Sequence, residues 1–265
     1  MHVVTKYPDG VFSWVDLTSS DTNAAKAFYT GLFGWEYEDI PTGTTGDYTM
    51  FKLDGHNVAG MGELSPEMKA QGVPSHWTSY VNHSDVDAVA ARVTEAGGML
   101  FFPPMDVMAE GRMTIFQDPV GAQIGVWQPK NHIGAQLVNT NNALVWNELQ
   151  TRDSKSTKAF FEAVFGWTYD EDENGYVTIS QDGRRHAGMM QIDASWGDVP
   201  NNWAVYFMVA NVETAAAKTN ELGGNVLVPP TPAGEIGKFA VIQDTAGAIF
   251  SIIEFNGPVD PPPGA

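Results

Sequence analysis

The chain has no cysteine. That excludes disulfides, thiolate metal sites and cysteine nucleophiles. It has no apolar run long enough for a membrane helix, and its first residues, MHVVTKYPDG, carry no apolar stretch of signal-peptide length. A cytosolic location is expected. Positive charge is scarce: 14 Lys and Arg stand against 32 Asp and Glu, a net charge of −18. No basic stripe offsets this, so neither nucleic acid nor an anionic membrane is an expected partner. A Gly-rich phosphate loop, a nucleophile elbow and an HExxH metal motif are also missing.

What the chain does have is repetition. KAFYTGLFGW at 26–35 returns as KAFFEAVFGW at 158–167. FSWVDLTSSD (12–21) matches LVWNELQTRD (144–153), and HNVAGM (56–61) lines up with RHAGMM (185–190). Gly-Gly recurs at 97–98 and 223–224, and GRMTIFQDPVGAQIGVWQ (111–128) pairs with GKFAVIQDTAGAIFSIIE (237–254). The order is preserved, so a whole unit is duplicated. The segment 131–142 reads as a linker and 257–265 as a loose, Pro-rich tail.

Within each half a strand–helix–three-strand pattern occurs twice. Residues 11–17 alternate, with Val11, Ser13, Val15 and Leu17 on one face and Phe12, Trp14 and Asp16 on the other. Asp21 then stands at an N-cap position and Gly34 at a C′ position of a helix, as Asp153 and Gly166 do later. The reading is an α+β protein of four βαβββ units. They form domains at 8–130 (units about 11–63 and 76–130) and 140–256 (units about 143–193 and 202–256).

This pattern, with D-x₆-F-[YF]-x₃-[LV]-[FL]-G and the later Q-D-x-x-G hairpin, resembles the vicinal oxygen chelate superfamily. That group includes glyoxalase I, extradiol dioxygenases and bleomycin-resistance proteins. The F-G-W ending and the W-x-[ED]-L strand are similar to its tandem-domain, glyoxalase-like subgroup. The resemblance implies two open half-barrels with helices outside and a ligand on each concave face. It also implies a divalent ion (Zn, Ni, Mn or Fe) where the ligands survive. The family's ligand positions fall at Trp14, Thr78 and Gln128, and at Trp146, Ala204 and Glu254, with a further one near Glu63 or Gln191. Of these, Glu254 and Glu63 are the candidate metal ligands and Gln128 a weak one; neither half offers three ligands of the right type, so the expectation is no tightly bound ion.

Glu254, Glu148 and Asp16 are the expected catalytic acids. Trp14, Tyr80, Gln128, Trp146, Tyr206 and His76 are the expected ligand contacts. His56 and His186 read as turn histidines bonded to backbone, and His2, His83 and His132 as surface or linker residues. Two functions remain open. One is a glyoxalase-like enzyme, of lyase, isomerase or oxygenase type. The other is a drug-sequestering module that uses aromatic walls and no metal. Either takes a small molecule, and either is compatible with a monomer or a homodimer.

Overall fold

The computed structural model describes residues 2–43 and 46–263. The first half runs β1 (Phe12–Ser19), α1 (Thr22–Phe33), β2 (Glu36–Pro41), β3 (Asp47–Leu53), β4 (His56–Glu63), α2 (Pro66–Ala70), β5 (His76–Asn82), α3 (Val86–Glu95), β6 (Met99–Leu100), β7 (Met105–Val107), β8 (Gly111–Gln117) and β9 (Gln123–Pro129). The second runs β10 (Leu144–Thr151), α4 (Ser154–Phe165), β11 (Thr168–Glu171), β12 (Val177–Gln181), β13 (Arg184–Gln191), β14 (Asn202–Met208), α5 (Val212–Glu221), β15 (Asn225–Ala233), β16 (Gly237–Gln243) and β17 (Ile249–Phe255). None of these helices is long and apolar enough to cross a membrane.

Each half forms one sheet. The first has the order β2-β3-β4-β1-β5-β9-β8-β6, with β7 also on β8. The second has β11-β12-β13-β10-β14-β17-β16-β15. In both, two antiparallel central strands are each flanked by a parallel strand from their own unit. The helices begin where the sequence says. Asp21 accepts from Ala24 N at 3.0 Å and Asp153 from Ser156 N at 3.0 Å. Gly34 and Gly166 close α1 and α4 in the left-handed conformation that a side chain disfavours.

The pleat sorts the side chains. Val15, Leu17 and Trp77 go to the helix side, and Trp14, Asp16 and Tyr80 go to the helix-free side. The two helix-bearing faces meet, and the packing is crossed. α1 lies on α5 and α3 on α4. Phe28, Tyr29 and Phe33 share a core with Phe207, Phe250 and Ile252, while Val89, Val93 and Phe116 share one with Phe160, Phe161 and Trp167. The second Gly of each Gly-Gly pair has its reason here. A Cβ at Gly98 would meet the Phe160 ring at 2.8 Å, and one at Gly224 would meet Phe28 at 2.7 Å. Each half's first helix thus seats a phenylalanine on a glycine of the other half. At the centre of the seam Ser79 Oγ donates to Asn147 Oδ1 at 2.6 Å.

The duplicated tryptophan has the same logic. Trp35 Nε1 donates to Asn142 O, and Trp167 Nε1 to Gly10 O, both at 2.7 Å. Each indole reaches backbone outside its own unit.

The two seams differ at one hydroxyl. In the first, Trp77 Nε1 donates to the Tyr29 hydroxyl at 3.1 Å, which donates to Asp244 Oδ2 at 2.9 Å. In the second, Phe161 stands where Tyr29 does, and Trp203 Nε1 is buried with no partner among the described residues. The ring pairs are otherwise alike, at 5.4 Å for Tyr29–Trp77 and 5.6 Å for Phe161–Trp203. Phe161→Tyr is therefore expected to pair the orphaned indole N–H and to reach Asp118, the counterpart of Asp244. The expected gain is about 1 kcal/mol by chemical denaturation. A loss of stability would show that the hydroxyl does not fit.

Candidate functional site

The helix-free face of each sheet curls into a cup. Side chains on β3 and β8 join the same cluster as Trp14, Tyr80 and Trp127. At its centre stands one acid. The Asp16 carboxylate accepts from Trp14 Nε1 at 2.8 Å and from the Tyr48 hydroxyl at 2.5 Å, both at Oδ1, and from the Tyr80 hydroxyl. Trp14 Nε1 also reaches the Tyr48 hydroxyl at 3.2 Å. In the second cup Glu148 Oε1 accepts from the Tyr206 hydroxyl at 2.9 Å and from Gln150 Nε2 at 3.3 Å, and the Tyr176 hydroxyl also bonds the carboxylate. Trp146 Nε1 donates to the Tyr176 hydroxyl at 3.0 Å.

Tyr48 and Tyr176 reach the acid across β4 and β13 only because glycine lies beneath them. A Cβ at Gly60 would overlap the Tyr48 hydroxyl and Asp16 Oδ1, and one at Gly188 would overlap the Tyr176 hydroxyl. V-A-G-M and H-A-G-M are thus strand segments, not turns, and their glycines are part of the site's construction.

No cation faces either acid in these networks, and burial raises both carboxyls above their usual range. The indole and phenol hydrogen bonds oppose this without cancelling it. Tyr48, Tyr80 and Tyr206 are pushed well up, first by burial and then by the neighbouring carboxylate. The phenols therefore stay protonated donors.

Of the expected site residues, the structure brings together Trp14, Asp16 and Tyr80, and likewise Trp146, Glu148 and Tyr206. His76 lies on the same face as Thr78 at the cup's rim, paired with Thr18, with Nδ1 2.9 Å from Pro74 O. Gln128 and Glu254 are placed elsewhere. They share a face with Val126 and Ile252, and each caps a helix. Gln128 Oε1 accepts from Val86 N at 3.0 Å, and Glu254 Oε2 from Val212 N at 2.9 Å. Glu63 pairs with Lys69 Nζ at 2.5 Å. Its counterpart Gln191 ties down the start of α4.

The histidines need correction too. The strand register aligns Gly60 with Gly188, so His186 stands where Val58 does, one residue away from the pairing that the sequence suggests. It is no turn residue. It is buried against Phe12 and Trp167, without a partner for either ring nitrogen among the described residues, and burial lowers it to about 3. His132, expected at the surface of the linker, lies edge-on to Trp14 at 4.4 Å and against Trp127 at 5.5 Å. It closes the floor of the first cup, and burial lowers it to about 4. Tyr48 and Tyr176 escaped the sequence reading, although a tyrosine recurs at that point in each half, in DYTMF and GYVTI.

A family model, Glyoxalase/Bleomycin resistance protein/Dioxygenase superfamily, matches residues 11–126 and 136–252. The chain is 40% identical over 255 residues to a Mycobacterium tuberculosis protein named "Putative glyoxylase CFP32", covering 94% of this chain and 97% of that one. It is 34% identical to the anthracycline biosynthesis protein DauV of Streptomyces sp. strain C5, covering 96% of each. Among solved structures, the Mn(II)-bound glyoxalase from Novosphingobium aromaticivorans aligns with a TM-score of 0.65 at 16% identity, over 96% of this chain and 85% of that one. The 2,3-dioxygenase LapB from Pseudomonas sp. KL28 aligns at 0.66 and 14%, over 98% and 96%. At such identities these two show the fold alone.

Proposed function

This chain belongs to the glyoxalase/bleomycin resistance protein/dioxygenase superfamily, and we propose that it binds a small planar organic molecule in a cup, with the cup's lone carboxyl as the polar handle. The observation that carries this reading is the acid itself. A carboxyl held among indole and phenol donors, facing no cation and with its proton affinity raised, is costly unless a ligand uses it. Un-ionised it donates to a carbonyl; ionised it accepts from a hydroxyl. Trp14, Trp127 and Tyr80 suit a flat apolar body. The name of DauV supports fused aromatic rings bearing carbonyl and hydroxyl groups.

The divalent ion of the family's metal-using members does not fit these residues. On the four inner strands, at the level of the acids, the cup-facing positions are Asp16, Gly60, Thr78 and Gln123 in one half, and Glu148, Gly188, Ala204 and Ile249 in the other. One carboxylate per cup, with only the weakly ligating amide of Gln123 beside Asp16, is short of the three or so donors that a catalytic ion needs. No group of three His, Asp, Glu or Cys occurs among the described residues.

A second reading, metal-independent proton transfer beside a carbonyl, is favoured by the raised carboxyls, since burial makes each hold its proton more tightly than an ordinary carboxylate and so fits it to general acid–base work. The name of CFP32 points the same way.

The experiment is a calorimetric titration of chelator-treated protein with the hydroxyanthraquinone alizarin. Saturable binding unchanged by added Mn²⁺ is expected. Binding that appears only with the ion, or none at all, would sink the reading. Proton transfer is assayed separately, as turnover of methylglyoxal with and without a thiol.

A further inference from the structure

The two cups are copies, but they have not kept the same walls. In the first, Leu100 and Phe116 pair across β6 and β8 and face the helices, so Met99, Phe101 and Ile115 take the cup side. Met105 pairs with Met113, which packs on the cluster that holds Trp127. Met99, Phe101 and Met105 are 53, 48 and 50% exposed. Three large apolar side chains half open to water, in a chain of net charge −18, are a surface awaiting a partner. The second cup carries Asn225, Leu227, Thr231, Phe239 and Val241 at the same ladder positions. Two of its five are polar. Leu227 and, on β17, Ile249 are also about half exposed, at 47 and 52%, so the difference lies in the unbroken apolar run of the first wall rather than in exposure alone.

Access to the acids differs as well. Asp16 is half-buried. Glu148 is 4% exposed, bonded by Gln150, whose own Oε1 accepts from Asn202 Nδ2 at 3.2 Å. The Gln150 and Asn202 positions are Thr18 and His76 in the first cup. An amide bridge therefore closes over the second acid and has no equivalent over the first among the described residues.

We infer that the first cup is the one that takes the planar ligand, and that the Met99–Phe101–Met105–Met113 wall is the surface on which the ligand lies. This rests on the ligand-binding reading above. The occupant is a polycyclic aromatic molecule with one carbonyl or hydroxyl directed at Asp16. Thioethers adapt to such a face and make favourable sulfur–ring contacts, and Phe101 adds a ring of its own. Met113, which pairs with Met105, packs on the cluster that holds Tyr48 and Trp127, and this link distinguishes the wall from an isolated apolar patch.

The test uses the full chain and alizarin, read by calorimetry and by quenching of tryptophan fluorescence. One molecule per chain is expected. Phe101→Ser and Met105→Gln, both at exposed positions that folding tolerates, are expected to weaken binding about tenfold each. Leu227→Ser, the second-cup counterpart of Phe101→Ser, should bind as the parent does. Bound alizarin should also slow peroxide oxidation of Met99 and Met105, followed by mass spectrometry. Two molecules per chain, or wall variants that bind as the parent, would overturn the inference while leaving the ligand-binding reading intact. A parent chain that binds no alizarin would remove both.

Discussion

Trp167→Ala is expected to lower the unfolding free energy by about 3–5 kcal/mol, the range for deleting a fully buried large aromatic. Trp167 is 1% exposed. Its ring lies against Phe161 at 5.0 Å and Phe165 at 4.8 Å, and its N–H satisfies Gly10 O in the other half. Alanine leaves a cavity in the shared core and an unpaired carbonyl at the seam. Trp167→Phe separates the two contributions. It keeps most of the apolar contact and gives up the hydrogen bond, for about 1 kcal/mol. Because both cores draw residues from both halves, the two sheets should unfold in one transition. Denaturant unfolding followed by fluorescence and circular dichroism checks this. A loss below about 1 kcal/mol for Trp167→Ala, or two separated transitions in the parent, would contradict the crossed arrangement.

Replacing the cup acids by their amides should raise stability, and the gain should grow with pH. A carboxyl whose folded pKa is raised binds its proton more tightly folded than unfolded. The parent is therefore favoured at acid pH and loses stability as pH climbs from the ordinary carboxylate range through the raised folded value. An amide does not titrate. Glu148→Gln should match the parent near pH 4 and exceed it above neutrality by about 1–3 kcal/mol, the usual penalty for a buried polar group that is incompletely compensated. The amide side chain of this variant keeps a carbonyl oxygen for the Tyr206 hydroxyl, so the fold loses little. Asp16→Asn should follow the same pH trend while binding alizarin at least tenfold more weakly, because Oδ1 is held by Trp14 and Tyr48 and the amide NH2 that replaces the other oxygen cannot accept from a ligand hydroxyl. Thermal melts between pH 4 and 9 give the comparison. A gain that shrinks as pH rises would mean that the carboxylates, not the acids, are the favoured folded forms.

Much of this was legible from the duplication. Repeated strand and cap residues place β1, α1 and their copies, and alternation around Val15 and Leu17 puts Trp14 and Asp16 on the free face. The last strands defeated the same method for a physical reason. In SIIEF, Ile252 and Ile253 are both apolar, so alternation cannot say which of them faces the helices. Burial settles it: Ile252 is wholly enclosed, and Glu254 goes with it to the helix start. The tyrosines of β3 and the residue before Val177 were hidden differently. Their role depends on reaching over a neighbouring strand, which no single-strand periodicity contains. His132 was misplaced because composition marks a linker, while the fold drives that linker under an indole.

The crossed seam has a further consequence. With the helix-bearing faces joined, the hollows open in opposite directions, and the region between them is filled by packed rings. A small molecule leaving one hollow reaches the other only through bulk water, diluted like any other solute. The hollow that holds the ligand is therefore filled and emptied from solvent alone, without passage through its copy.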